Sequence, residues 1–483
     1  MTLQALNLIG GQWQPALGAG WGVRSNPADG SIVGRFAASG REDAEAAIAA
    51  GRRAFDRPDW SQNPRLRQLV MLRWADRLES RAAELALLLT RENGKVLAQS
   101  QGEIAGAISE IRYYAGLTRY LPGHVFEVEP GTFSTLLKEP AGVAGIIVPW
   151  NAPAVLLIRS LTPAMAAGCT TVIKPAPQTT HITAALVAEL HAAEGLPAGV
   201  VNLVSEEGHE VAAALVASPD VDVISFTGSN ATGQRIMAAA APTMKKLSLE
   251  LGGKSACLVF EDVDVQAVAP ALAAAATIIS GQQCTAARRV LVHRSRYDDM
   301  KSALARALSA LRVAPGTVAG AQIGPMIDVE AARSVGARIE RAMDEADEVV
   351  LRGGPGRGEL AGGAFLTPVL VAHQDSGASF VQEEIFGPLV VIERFDDEAE
   401  AVARANHSEY GLSASVWTGN GARAMRVARA LRNGTVWIND HNKLFAEAET
   451  GGYRRSGLGR LHGYDALIDF QEIKHIYQQV GTV

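Results

Sequence analysis

The stretch Pro140–Pro175, PAGVAGIIVPWNAPAVLLIRSLTPAMAAGCTTVIKP, decides the fold class. It opens on a short apolar, β-branched run, Val143–Val148, which breaks at Pro149-Trp150-Asn151. Ala154–Ala167 then reads as a helix, and Thr170–Lys174 is a second β-branched run that ends on a lysine. Strand, helix and strand within about 30 residues make a βαβ unit and imply a parallel sheet. The rhythm continues with the helical stretch Thr180–Glu194 and strand-like runs at Val200–Val204 and Val223–Phe226.

Working outward, Arg41 to Tyr120 spaces its apolar residues at three and four with charges between, the pattern of amphipathic helices, and Asn93-Gly94 supplies a stop. C-terminal to the first set lies a second α/β set, with strands expected at Ala256–Phe260, Arg289–His293, Val390–Glu393 and Val436–Asn439. The chain therefore reads as an α/β protein of two sheet-centred halves that meet near residue 252. At 483 residues, with 48% hydrophobic and 20% charged, it has ample material for large cores. The net charge of −6, without a block of like charges, argues against a nucleic-acid partner. No run approaches the ~20 apolar residues of a membrane span, and the N-terminus has no signal-peptide pattern. Three cysteines, Cys169, Cys257 and Cys284, cannot pair completely and show no C-x-x-C spacing. A reducing, cytoplasmic location is the expectation.

Several familiar signatures come close and fail. Gly252-Gly253-Lys254-Ser255 ends like a phosphate-binding loop, but Ser248 stands where its first glycine belongs. Gly228 to Gly233 has the glycine spacing and continues Gln234-Arg235, without the lysine. There is no G-x-S-x-G elbow. The ten histidines are scattered without H-E-x-x-H, so no metal site is expected.

Six strings do hold together, in one order: Val148-Pro149-Trp150-Asn151, Thr171-Val172-Ile173-Lys174-Pro175, Ser225-Phe226-Thr227-Gly228-Ser229, Leu249-Glu250-Leu251-Gly252-Gly253-Lys254, Gly281-Gln282-Gln283-Cys284-Thr285 and Glu383-Glu384-Ile385-Phe386-Gly387-Pro388. Taken singly, Cys284 is a lone cysteine, although a helix terminus and the neighbouring Arg288-Arg289 are the surroundings that lower a thiol pKa. Taken together, the strings resemble the aldehyde dehydrogenase superfamily, from Gly10-Gly11-Gln12-Trp13 to Gly452-Tyr453-Arg454-Arg455-Ser456-Gly457.

The resemblance implies an aldehyde dehydrogenase-like fold in three parts. These are a Rossmann-type cofactor-binding domain (1–121 and 141–252), an α/β catalytic domain (253–452) and a small β oligomerisation element (122–140 and 468–479) that makes a homodimer or homotetramer. It implies NAD(P)-dependent oxidation of an aldehyde to its acid. Cys284 would add to the carbonyl to give a thiohemiacetal that gives up hydride readily. The Asn151 side chain and the Cys284 backbone N–H would hold the oxyanion, each such donor carrying a factor of ~10²–10³ in rate. Glu250 would be the general base for thioester hydrolysis, a residue typically absent from CoA-acylating relatives, so the free acid is the expected product. Gly228-Ser229 opens a helix whose amides suit a pyrophosphate. Lys174 would meet the adenosine ribose and Glu384 the nicotinamide ribose, with Trp150 and Phe386 beside the nicotinamide.

The chain also departs from the pattern. Pro177 stands where many NAD-preferring relatives carry a glutamate, which predicts that NADP is tolerated, with Lys174 available to its 2′-phosphate. In the expected substrate pocket, Ala152 and Arg159 replace aromatic residues, and the loop Asn439–Gly451 carries Glu447 and Glu449. Leu156, Gln283, Thr285, Leu444 and Phe445 would cradle an aromatic or medium-chain aliphatic aldehyde. Alternatively, Arg159 would serve the carboxylate of a semialdehyde, or the loop glutamates the amine of an aminoaldehyde. A polar rim is the plainer reading of those glutamates. A catalytically silent scaffold is the rival from another class, and intact Cys284, Glu250 and Asn151 speak against it.

Overall fold

The structure, a computed structural model, describes residues 3–480. Two parallel-centred sheets organise it. In the first, the strands run in the order Gly457–Leu458, Lys246–Glu250, Val223–Thr227, Val143–Ile147, Thr170–Lys174, Val201–Leu203, Asn7–Ile9 and Gln12–Gln14. Its five central strands are parallel. Val143–Ile147 is buried along its whole length, because helices cover both faces of such a sheet. From this strand the chain steps outward to Thr170–Lys174 on one side and later returns to place Val223–Thr227 on the other. That reversal is a topological switch point, and open α/β sheets form their ligand crevice outside the carboxyl ends of the strands there.

The second sheet has seven strands: Glu348–Leu351, Val369–Ala372, Leu389–Phe395, Arg289–His293, Ala256–Val259, Ser413–Trp417 and Thr435–Ile438. All are parallel except the first. A third sheet is built from the hairpin His124–Glu129 and Thr132–Pro140, with the C-terminal strand Gln471–Gln479 paired antiparallel along it from end to end. A small N-terminal sheet joins Leu3–Ala5, Ile32–Ala37 and Trp21–Ser25.

Helix Ala82–Asn93 stops at Gly94 with φ +90°, as its Asn-Gly step predicts. The helix expected to reach Glu194 ends at His191, and the chain turns back through Gly195 at φ +95°. Helix Pro153–Ala167 is buried except at Val155 and Arg159, which, with half-buried Ala152 ahead of it, leave one stripe at a spacing of three and four.

Candidate active site

Beyond Val143–Ile147 the chain breaks at Pro149 and carries Trp150 and Asn151 over the switch-point crevice. Beside it, Val223–Thr227 leads into Gly228 and Ser229. Ser229 caps the helix Asn230–Ala240, its Oγ accepting from the N–H of Thr232. The next strand ends on Glu250. These three strand ends bring Trp150, Asn151, Gly228, Ser229 and Glu250 around one cavity of about 320 Å³. Gly252 and Gly253 follow, and each is needed for close approach. A Cβ on Gly252 would lie 2.3 Å from Glu384 Oε2, and one on Gly253 would lie 2.8 Å from the Cys284 carbonyl oxygen.

Cys284 reaches the crevice from the second half through a left-handed turn. Ile279, Ser280 and Gly281 take φ of +49°, +56° and +75°, a conformation costing an L-residue roughly 1–2 kcal/mol. Side chains hold it in place. Ser280 Oγ donates to the carbonyls of Gly324 (2.7 Å) and Pro325 (3.1 Å), and Gln282 Nε2 donates to the carbonyl of Ile279 at 3.1 Å. Past the cysteine, His441 Nε2 lies 2.7 Å from the Thr285 carbonyl oxygen. Burial pushes this imidazole down to about 4, so it is neutral and Nε2 carries the donated proton. The Asn151 amide donates one N–H to the Gln282 carbonyl at 3.1 Å and retains a second.

Burial dominates the electrostatics. The Cys284 thiol is pushed up to about 12, first by desolvation and then by the carboxylates of Glu384 and Glu250. The lowering anticipated from Arg288 and Arg289 does not occur. Arg289 is spent on a buried fork with Glu393 (2.6 and 2.8 Å), and Arg288 donates to the carbonyls of Gly281 and Gly387. Glu250 is pushed up to about 8, again chiefly by desolvation, and its Oε1 is buried with no hydrogen-bond partner among the described residues. Glu384 is also raised by burial, and its Oε1 accepts from the Gly253 N–H at 3.3 Å. Lys254, of the failed phosphate-loop string, is a buried strut donating to the carbonyls of Phe380 (2.9 Å) and Glu383 (2.7 Å). It thereby steadies the loop that carries Glu384 and Phe386. The Phe386 ring meets Trp150 edge-on at 5.6 Å between centroids.

A second cavity, of about 380 Å³, opens on the other side of Cys284, and the two share Asn151 and Cys284 as lining. Ala152, Leu156, Arg159, Gln283, Thr285 and Leu444 all line this second cavity. Phe445 does not; it is 64% exposed. Glu447 and Glu449 lie outside the lining as well, and Glu449 Oε1 accepts from the N–H of Asp465.

Lys174 and Pro177 line neither cavity. The Lys174 ammonium is not free, as the sequence suggested: Nζ sits 3.4 Å from the buried carboxylate of Glu206, which also accepts from the N–H groups of Val211 and Ala212. Sequence reasoning missed Glu206, Arg338 on the first cavity, and Lys95, Gln99, Glu103 and Asn442 on the second. Gln99, Gly102, Glu103 and Gly106 do form a three-to-four spaced stripe on one helix, and that was the available signal.

The first cavity fits a dinucleotide's reactive end. It has an aromatic wall in Trp150 and Phe386, a buried carboxylate in Glu384, and a capped helix start at Ser229. A cysteine between such a cavity and a second, largely apolar one, with a carboxyl group and an amide donor lining the same space, is an arrangement that suits an oxidoreductase. Residues 22–476 match the model of the aldehyde dehydrogenase family. The chain is 37% identical over 456 residues to the betaine aldehyde dehydrogenase of Bacillus subtilis (strain 168), covering 94% of this chain and 93% of that one. It is 36% identical to a succinate-semialdehyde dehydrogenase of Escherichia coli (strain K12) named for NADP(+), covering 97% and 96%. The crystal structure of betaine aldehyde dehydrogenase from Staphylococcus aureus in complex with NAD+ superposes with a TM-score of 0.96 at 33% identity, covering 99% of this chain and 96% of that chain. The chain belongs to the aldehyde dehydrogenase family and is an aldehyde-group oxidoreductase that uses NAD or NADP.

Proposed function

We propose that this enzyme oxidises its aldehyde to the free carboxylic acid through a thioester on Cys284. The observation that carries the reading is the meeting of the two cavities at Cys284, with the Glu250 carboxyl, its Oε1 unpaired among the described residues, on the cofactor side. Glu250, as carboxylate, takes the thiol proton. Cys284 Sγ forms a bond to the aldehyde carbon, and the carbonyl oxygen becomes an alkoxide held by the remaining Asn151 N–H. Bound nicotinamide, framed by Trp150, Glu384 and Phe386, supplies the acceptor for the hydrogen and its electron pair. Glu250 passes the thiol proton to solvent and then takes a proton from water; hydroxide adds to the thioester carbon, the C–S bond breaks, the acid leaves, and the proton on Glu250 restores the Cys284 thiol.

The apolar lining of Val155, Leu156, Ile279 and Leu444 supports an aromatic or medium-chain aliphatic substrate. A specific observation favours a second reading. Arg159 is a cation in the cavity wall whose hydrogen bonding among the described residues is a single long bond, Nε to Glu110 at 3.4 Å. A guanidinium edge of that kind suits the carboxylate of an aldehyde acid. The aminoaldehyde alternative stands beside it, with Glu447 as the remaining loop glutamate, since Glu449 is turned to the 463–465 segment.

The remaining readings belong to the same proposal. NADP is tolerated beside NAD because Pro177 places no carboxylate at its position, with Lys174 tempered by Glu206. The three domains divide at 1–121 with 141–252, 253–452, and 122–140 with 468–479. The third mediates a homo-oligomer, and the enzyme works in the reducing cytoplasm.

Rapid mixing with phenylacetaldehyde, hexanal or succinate semialdehyde, with NAD and then NADP, tests the reading. Reduced nicotinamide should form in a burst that vanishes in Cys284→Ala. Arg159→Met should raise KM for the aldehyde acid at least ~30-fold and leave neutral aldehydes within about threefold, the scale of losing one charge-assisted contact. Burst formation in Cys284→Ala would refute the covalent route.

A further inference from the structure

The mechanism leaves unused a buried ion pair that borders the substrate cavity. Lys95 has no exposed side-chain surface and Glu103 very little, and their charged groups are in direct contact. Both line the cavity that contains Cys284. Lys95 Nζ also donates to the backbone carbonyl of Asn151 at 2.7 Å. Asn93 Nδ2 donates to the carbonyl of Trp150 at 2.6 Å and reaches that of Asn151 at 3.5 Å. On the far side of the same turn, Glu103 Oε1 accepts from the N–H groups of Ala154 (2.8 Å) and Val155 (3.3 Å).

The local sequence explains why this clamp is needed. Helix Pro153–Ala167 begins with a proline, and its N-cap, Ala152, has no side-chain acceptor for the first free amides. Glu103 supplies that acceptor from another helix. The two carbonyls ahead of the cap lie over the crevice, where Asn93 and Lys95 bind them. Thus the Trp150–Val155 turn is held from both ends by side chains of residues 93–103, and Asn151 belongs to the end held by its carbonyls. Misplacing a reacting or stabilising group by about 1 Å can cost ~10² in rate.

We propose that Lys95 is a positioning residue for oxyanion stabilisation: bridging Glu103 and the Asn151 carbonyl, it aims the Asn151 amide at the carbonyl oxygen of a substrate bound to Cys284. This rests on the roles proposed above for Asn151 and Cys284.

The test separates two reactions of the same thiol, neither needing the physiological aldehyde. In acylation by p-nitrophenyl acetate, Sγ adds to the ester carbon, an oxyanion forms, the C–O bond breaks and p-nitrophenolate leaves, while the thiol proton passes to Glu250 or water. In alkylation by iodoacetamide, Sγ displaces iodide and no oxyanion forms. The full-length Lys95→Met/Glu103→Gln variant removes the ammonium without leaving an unpaired buried carboxylate. Its acylation burst should slow ~100-fold, the scale of losing an oxyanion donor, while alkylation stays within about threefold of the parent. Asn93→Ala, which removes the other donor to this turn, should show the same asymmetry and serves if the double variant does not fold. Cys284→Ala should abolish both signals.

If Asn151→Ala slows acylation and the Lys95 and Asn93 variants do not, the inference is overturned and the role of Asn151 stands. If Asn151→Ala itself acylates normally, the oxyanion role fails and the inference falls with it. Equal losses in both reactions would mark Lys95 as merely structural and would also overturn it.

Discussion

At the scale of single residues, the decisive quantity is the cost of burying charge beside the Cys284 thiol. Glu250 ends a strand with one carboxyl oxygen unpaired among the described residues, and burial raises it to about 8. Its basic form therefore fills as pH rises through 8. Steady-state turnover limited by thioester hydrolysis should climb with pH to about 8 and level above it. Glu250→Gln should slow both the first-turnover burst and the later turnovers by ~10²–10⁴, as stopped-flow traces between pH 6 and 9.5 would report. The same shift acts on stability. Below the ordinary carboxyl range both folded and unfolded chains hold the proton. Between that range and pH 8 only the folded chain holds it, so stability falls as pH rises across that window. Glu250→Gln should accordingly melt higher than the parent at pH 8.5, with the difference vanishing near pH 4. Glu250 could be named from its string, but its raised pKa could not, because desolvation is a property of the closed site.

At the scale of elements, two short segments carry the groups proposed to react. The strand end and helix start around Asn151 were legible, because Pro149 and Pro153 punctuate an apolar run. The turn before Cys284 was not. Ile279 and Ser280 are poor candidates for a left-handed backbone, and they adopt one only because Ser280, Gln282 and the 324–327 segment hold them there. Gly281 has no substitute in that turn: its φ is +75°, and a Cβ would lie 2.4 Å from the carbonyl carbon of Gly387. Gly281→Ala should destabilise the protein by about 1–3 kcal/mol and displace Cys284. A lowered melting temperature and at least a tenfold loss of iodoacetamide reactivity would show it, and an unchanged alkylation rate would contradict it.

At the scale of the whole molecule, the third sheet stands apart in its surface. All of His124–Glu129 is exposed, with Val128 at 78% and, on the C-terminal strand, Ile473 at 70% and Tyr477 at 60%. Exposed β-branched and aromatic residues on a sheet with a free edge invite pairing with another subunit. Light scattering after size exclusion should give a mass at least twice the 50.9 kDa of the chain. Val125→Lys/Val128→Lys should lower that mass toward the monomer without changing the Cys284 labelling rate. An unaltered mass would place the interface elsewhere.

Local sequence determined the order of strands and helices and the breaks between them, and six strings read together marked Cys284, Glu250 and Asn151 as the candidate reactive residues. Hydrophobic period, β-branching and turn residues act over a few positions and survive in the string itself. Tertiary structure decided what those residues experience. It set Arg288 and Arg289 to structural duty, paired Lys174 with Glu206, turned Phe445 and Glu449 away from the cavity, and brought Asn93, Lys95 and Glu103 against Asn151. The physical reason is that charge and hydrogen bonding inside a protein depend on what lies within a few ångströms in space. For these groups, the neighbours that matter come from segments distant in the chain.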